Sequence, residues 1–301
     1  MKYCFLFSFI LYTVVTAAQQ DPQYTQYMYN MAVLNPAYAG SKVHWSMGLL
    51  YRNQWTGLDG APQTGTLFAH KAISDNWGIG GSLIYDTAGP VAETNTYADL
   101  AYTIKFDEER RLAFGLKLGA TFHDIGLSNL IVFDPDDPFF SENVSSVTPN
   151  FGAGLFYYTS RFYAGFSVPN MLKTTFLNID GARLGSQTQH YFLTAGMVFN
   201  LSQAMDLKPS FLLKSAFGAP VSLDLNLNAR LNNRLELGIS YRTDDSLSGL
   251  LSVQVSNTLR VGYAYDYVTS EINPFGASSS EIILLLDLLP GEKRIKSPRF
   301  F

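Results

Sequence analysis

Cysteine is nearly missing, with a single residue, Cys4, among 301. It sits inside an apolar N-terminal run, Cys4 to Val15 (CFLFSFILYTVV), which follows Lys2 and precedes the small residues Thr16, Ala17 and Ala18. That order is a secretory signal peptide, too short and wrongly flanked for a membrane span. Cleavage after Ala18 is expected, which makes residues 1–18 a removed leader and Gln19 the mature start. The mature chain then has no cysteine, which excludes disulfides and thiolate metal sites. Charge is also scarce: 15% of residues are charged and the net charge is −4, which gives no footprint for nucleic acid. Long hydrophobic runs are absent after residue 18, so no helix of membrane-spanning length is expected.

Catalytic groupings are thin as well. The four histidines are His44, His70, His123 and His190, and neither G-x-S-x-G nor H-E-x-x-H occurs. His44, His123 and His190 fall on inward faces of strands one, five and eight, too far apart to converge. His123 and Asp124 lie near Ser128, but adjacent strand residues point oppositely. An enzyme is therefore not expected, and no cofactor is implied. Asp134, Asp136 and Asp137 (DPDDP) could offer hard oxygen ligands to calcium, yet an EF-hand glycine and a distal glutamate are both missing. The bland reading is a solvated acidic loop tip, and no metal site is assigned.

What the chain has is aromatics, at 14%, 24 glycines and regular alternation. In VSLDLNLNARL, Val221, Leu223, Leu225 and Leu227 face one way and Asp224, Asn226, Asn228 and Arg230 the other. Leu235, Leu237, Ile239 and Tyr241 alternate with Glu236, Ser240 and Arg242. Segments starting at Trp45, Leu112, Thr188 and Leu259 behave alike. Alternation over about ten residues fits a tilted strand with one face in lipid and one in a polar lumen. Sandwich strands are shorter, about five or six residues. Because lipid leaves no partner for a sheet edge, such strands must close. The expected fold is all-β: a transmembrane antiparallel up-and-down β-barrel of about 14 strands in the outer membrane of a Gram-negative bacterium, contacting its lipids.

Strands are expected to begin near residues 43, 63, 77, 94, 112, 148, 161, 188, 206, 221, 234, 247, 259 and 280. Short turns fall at Ser74–Asn76, Asp107–Arg111, Ser160, Asn232–Asn233 and Ser256–Asn257, with a modest one at Leu201–Met205. Longer connections are expected at Trp55–Pro62, Ala88–Glu93, Ile125–Val147, Pro169–Gln187 and Ser270–Ser279. Short periplasmic turns and longer outer loops alternate in bacterial barrels. An even count then places both mature termini in the periplasm. Trp77, Tyr85, Tyr157, Tyr158 and Tyr163 are expected in interfacial girdles. Lys105, Lys117, Lys214, Arg230, Arg234, Glu236, Arg242, Arg260, Asp224 and Asp266 are assigned to the lumen.

Two stretches lie outside the barrel, which should span residues 43–290. Residues 19–42 form a Tyr- and Met-rich leader turned by Asn35-Pro36. Its exposed aromatics would make an interaction patch unless they fold into the lumen as a periplasmic plug. Glu281 to Leu289 (EIILLLDLL) is apolar on both faces, so Ile283 and Leu285 should meet something dry inside. Residues 291–301 (GEKRIKSPRFF) form a basic periplasmic tail, which is either solvated or a docking segment.

The leader DPQYTQYMYNMAVLNPAYAGS, the segment YRNQWTGLDGAPQT (Tyr51 to Thr64) and the terminal SPRFF together resemble the PorP/SprF family of type IX secretion system membrane proteins. The resemblance covers essentially the whole mature chain. It implies an outer-membrane barrel of the type IX secretion and gliding machinery. Such a barrel would receive the C-terminal sorting domain of a secreted adhesin or surface enzyme and anchor it at the cell surface. The partners implied are that secreted protein and other type IX components. Candidate partner-binding residues are Tyr27, Tyr29, Asn35, Pro36, Tyr38, Arg52, Gln54 and Trp55. Their bland readings are a shaped turn at Pro36, a lumen charge pair at Arg52 and an interfacial anchor at Trp55. The alternative is a diffusion porin or small-solute transporter, since lumen charges of both signs suit a hydrated channel as well as an internal ion-pair network.

Overall fold

The computed structural model describes residues 22–129, 142–172, 174–179, 182–217, 219–270 and 277–288. DPDDP and the C-terminal tail lie outside the described residues. The strands are β1 (Ser46–Asn53), β2 (Gln63–Ala72), β3 (Trp77–Ala88), β4 (Val91–Lys105), β5 (Arg111–Ile125), β6 (Val144–Tyr158) and β7 (Phe162–Val168). They continue with β8 (Thr174–Ile179), β9 (Ala182–Gln187), β10 (His190–Met197), β11 (Phe199–Asn200), β12 (Met205–Ala216) and β13 (Ser222–Leu231). The last four are β14 (Leu235–Arg242), β15 (Ser246–Gln254), β16 (Leu259–Val268) and β17 (Ser278–Asp287). No described helix is long and apolar enough to cross a membrane.

Barrel strands pair antiparallel with their neighbours in chain order. β10 meets β12 from His190↔Ala216 to Gly196↔Ser210, and β1 closes on β17 from Ser46↔Asp287 to Asn53↔Ser280. This is a closed 14-strand barrel, with β11 a two-residue continuation beside β12 and β8–β9 a separate hairpin. Each of the 14 starts lies within four residues of its expected position. Closure gives every barrel strand a neighbour on both sides, as lipid requires, with β6 from Val144 to Gly152 paired to β5 alone.

Alternation sets the two faces. On β5 the outward residues Phe114, Leu116, Leu118 and Phe122 are exposed, while Ala113, Lys117, Thr121 and His123 are buried. From Leu112 to Phe122 such a strand, tilted as in barrels, climbs about 25 Å, the height of an outer-membrane apolar band. Above Phe122 the outward positions turn polar, with Asp124 opposite Ser145. Trp77, Tyr85 and Tyr157 lie on the outer face as expected, but Tyr158 and Tyr163 are buried inside, stacked about Phe156. Their positions in the β6–β7 hairpin give them inward parity.

One barrel mouth carries the turns around 73–76, 106–110, 159–161, 232–234 and 255–258, and at the other β1, β5, β7 and β16 end. The first is called the turn end and the second the loop end. One expected long connection is a correction: Ala88 pairs directly with Val91, so Gly89-Pro90 alone makes a tight turn at the loop end. Gly89 has φ +56°, which glycine adopts without steric cost. Lys105 and Arg234 are corrections too. Both are exposed at the turn end, Lys105 reaching Asp75 at 3.8 Å, because their strands end there and leave the side chains to water.

Candidate functional site

The barrel is full. Residues Tyr24 to Ala39 are all buried, and they share one apolar cluster with inward residues of the wall that include Leu50, Phe68, Phe156, Leu250, Ile283 and Leu285. Ile283 and Leu285 therefore face a dry interior, and the partner they meet is the leader. From Pro22 to Ser41 the leader has no charged side chain. It folds as three short turns, Tyr27–Tyr29, Met31–Leu34 and Pro36–Tyr38, since no segment is long enough for a stable helix of its own.

Its path can be followed by its contacts. Arg242, the last residue of β14 at the loop end, donates to Gln23 Oε1 (2.9 Å) and to the Tyr24 carbonyl (3.1 Å). Tyr27 Oη lies midway, donating to Ser210 Oγ and accepting from Asn226 Nδ2, both at 3.3 Å. Tyr29 reaches the turn end, where Arg260 lies over its ring at 5.9 Å.

The chain then crosses to β5–β7. Lys117 Nζ donates to the Val33 carbonyl (2.9 Å) and Ser167 Oγ to that of Leu34 (2.7 Å). Asn35 caps the third turn, its Oδ1 accepting from the Ala37 N–H at 2.9 Å, while its Nδ2 donates to the Leu155 carbonyl at 2.9 Å. Pro36 sits at the first position of that turn, where its missing N–H costs nothing. Tyr38 meets His70 and Phe156 edge to face at 5.3 and 5.2 Å. The leader finally leaves by the turn end, where Lys42 pairs with Asp287 before β1 begins.

Glycines in the wall make this seat. A Cβ on Gly115 would lie 2.0 Å from Ala37 N, and one on Gly78 would lie 2.4 Å from the Ala39 carbonyl oxygen. A Cβ on Gly154 would lie 2.1 Å from Asn35 Oδ1. At these three positions hydrogen is the only side chain that leaves room for the leader.

The inner wall carries ions that largely satisfy one another. Arg52 pairs with Asp266 at 2.8 Å and Glu281 at 3.3 Å, all three buried. Arg242 grips Asp224 through two nitrogens at 2.8 and 3.0 Å, with Lys214 3.7 Å from the same carboxylate. Near the turn end Arg260 pairs with Glu236 at 2.8 Å and Arg230 with Asp206 at 2.6 Å. Lys117 stands 3.4 Å from Asp99. Sequence periodicity placed most of these charges in the lumen, but not their pairing, which depends on strand register. Glu281 and Thr25 were overlooked. The signal was present, since Glu281 shares the inward parity of Ile283 and Leu285 and puts a carboxylate beside an apolar stretch.

Of the expected partner-binding residues, Tyr27, Tyr29, Asn35, Pro36, Tyr38 and Arg52 come together inside the barrel, buried. Gln54 and Trp55 stand apart in the loop after β1, partly exposed. The Gln54 N–H donates to the Pro62 carbonyl (2.9 Å) and the Trp55 N–H to Ser279 Oγ (3.1 Å). That loop folds over the β3–β4 turn, the Gly89 N–H donating to the Gly60 carbonyl at 2.9 Å.

The histidines stay separate. His44 precedes β1 instead of lying on it, and His123 meets Glu93 at 3.1 Å and Thr148 at 3.2 Å, not Ser128. Among the described residues no cluster has the makings of a metal site.

A family model described as type IX secretion system membrane protein PorP/SprF matches residues 16–286. Among solved structures, the outer membrane protein Omp33 of Acinetobacter baumannii is similar at 8% identity with a TM-score of 0.51, covering 83% of this chain and 100% of that one. The CymD monoaromatic hydrocarbon channel is similar at 14% identity and TM-score 0.51, covering 85% and 91%. The toluene transporter TbuX of Ralstonia pickettii matches at 10% identity and TM-score 0.50, covering 85% and 92%. At these identities the likeness is one of fold alone. No curated protein matches the chain.

Proposed function

Because the chain belongs to the PorP/SprF family of type IX secretion system membrane proteins, and so is an outer-membrane barrel of that system, we propose that it binds and anchors a secreted partner at the cell surface. The partner would carry a type IX C-terminal sorting domain and be an adhesin or a surface enzyme. The observation that carries this reading is the buried leader: a lumen occupied from Tyr24 to Ala39 suits a binding scaffold better than a path for solutes. The paired wall charges and the apolar face of β17 point the same way, and they disfavour the porin or transporter reading.

In this reading the turn end faces the periplasm, which puts the end of β17 there. The exposed loop-end residues Gln54 and Trp55 are the partner contacts at the surface, and the buried leader residues form the plug. The sequence suggested a plug at the periplasmic mouth and a mature N-terminus beside it. In this reading the leader instead begins at the surface mouth, where Gln23 accepts from Arg242. Affinity purification of the tagged barrel from the native outer membrane, followed by mass spectrometry, tests the anchoring role. A co-eluting secreted protein is expected, whereas recovery of the barrel alone from actively exporting cells counts against it.

A further inference from the structure

The leader is held in two ways. Residues 35–40 sit backbone against backbone on Gly78 and Gly115, and the Asn35 side chain sits against Gly154, a fit shaped for this one segment. Residues 23–26, at the loop-end mouth, are held by charged side chains that grip peptide groups. The Thr25 and Gln26 N–H groups donate to the two oxygens of Glu281 at 2.9 and 2.8 Å. The Tyr24 carbonyl accepts from Arg242 Nη2. Thr25 Oγ1 donates to Asp266 at 2.8 Å and accepts from Arg52 Nη1 at 2.9 Å.

Three features make this mouth more than a fastening for one sequence. Three of the contacts fall on peptide N–H and C=O groups, which are common to every chain; the rest select uncharged polar side chains, the Thr25 hydroxyl on Asp266, Gln23 Oε1 on Arg242, Gln26 Nε2 on the Glu281 carbonyl and Tyr24 Oη on Thr66 Oγ1. The gripping ions are already paired with one another, Arg52 with Asp266 and Glu281 and Arg242 with Asp224. Departure of residues 23–26 would therefore leave no unpaired charge behind. Between tip and seat, Asn30 is fully buried and its side chain has no hydrogen-bond partner among the described residues. At Asn30 the junction therefore has no side-chain tie, whereas Tyr27, Val33 and Leu34 are held by Ser210, Lys117 and Ser167 and stay with the seat.

We propose that the loop-end mouth is a binding site for a bent, uncharged peptide with a central Ser or Thr, occupied here by the chain's own residues 23–26. A segment of the secreted partner displaces them while residues 35–40 stay seated. This rests on the anchoring reading above. It assigns Glu281, Arg242, Asp266 and Arg52 as the residues that take the partner's backbone, and the leader tip as the competitor that keeps them covered.

The cysteine-free mature chain supplies the test. In full-length Gln23→Cys protein, purified into lipid vesicles, the thiol reacts slowly with a maleimide while the tip is docked. A synthetic peptide matching residues 22–27, added in trans, should raise the rate about tenfold, the loss of one charge-assisted hydrogen bond or more. The same peptide with Thr25→Lys should not. Glu281→Gln should label fast without peptide and gain nothing from it. Should that variant fail to insert, Thr25→Pro, which removes an N–H from the leader side, should behave the same. Slow labelling unmoved by the peptide and by the variants overturns the proposal, as does fast labelling of the parent. Purification separates this from the anchoring reading. A partner retained equally by Glu281→Gln removes the mouth as its site and leaves anchoring intact. Peptide exchange with no partner recovered leaves the site and removes the anchoring.

Discussion

Replacing Arg52 by Met tests the ionic interior most severely. The guanidinium is 2% exposed and lies between Asp266 (2% exposed) and Glu281 (fully buried), and no other cation is paired with either carboxylate among the described residues. Met fills a similar volume, so packing is nearly conserved and the charge term is isolated. Removing one partner of a buried ion pair typically costs about 3–5 kcal/mol, because the charge left behind has lost both water and counterion. Here two carboxylates are stranded, and the Thr25 hydroxyl loses its Arg52 donor as well. A loss in the upper half of that range is expected, read as a lower denaturant midpoint for the variant refolded in vesicles. Adding Asp266→Asn and Glu281→Gln to the same chain should restore most of the stability, since neutral amides can share the site. A loss below about 1 kcal/mol, the level of a solvated surface pair, would refute the reasoning. So would a triple variant no more stable than the single one.

Other consequences are simpler. Leu225 faces lipid near the middle of β13, so Leu225→Arg should cost roughly 2–4 kcal/mol and deplete the barrel from the membrane, while Leu225→Ala is tolerated; equal yields of the two would mean the face is not in lipid. Gly115→Val leaves the pairing of β5 untouched but drives carbon into Ala37 N, so the barrel should still insert and shift on heating in a gel while protease cuts the leader. A protected leader in that variant would contradict the seat. For orientation, an epitope inserted at Asp59 should be labelled on intact cells and one at Glu109 only after permeabilisation; the reverse pattern would invert the barrel.

The outward pattern was legible because lipid tolerates so little variation. Leu, Ile, Phe and Tyr at most of the alternate positions of β5, β13 and β14 mark both the strand and its face. Loop lengths were read less well, because Gly89-Pro90 has the composition of a longer loop and only pairing shows that Ala88 meets Val91. Strand periodicity places a charge inside or outside but not along the axis, so Lys105 and Arg234, at strand ends, were assigned to the lumen when they reach water. The hairpin β8–β9 was not foreseen because it lies in a connection without lipid-type alternation. For the leader, composition signalled burial: Tyr and Met at that density without charge need apolar cover. Its route from the loop end to the turn end was not in the composition. That route is set by where the wall offers Glu281, Arg242 and Lys117 to peptide groups and where glycine leaves room for backbone. Such complementarity exists only once the strands are in register.

The filled lumen is the claim on which plug, clamp and anchoring all depend, and conductance measures it directly. Full-length protein reconstituted in a planar bilayer should show no steady channel current. A variant lacking residues 22–34, which takes no part in strand pairing, should show a stable conductance under the same conditions. A large, steady current from the full-length chain would contradict the account and restore the diffusion porin.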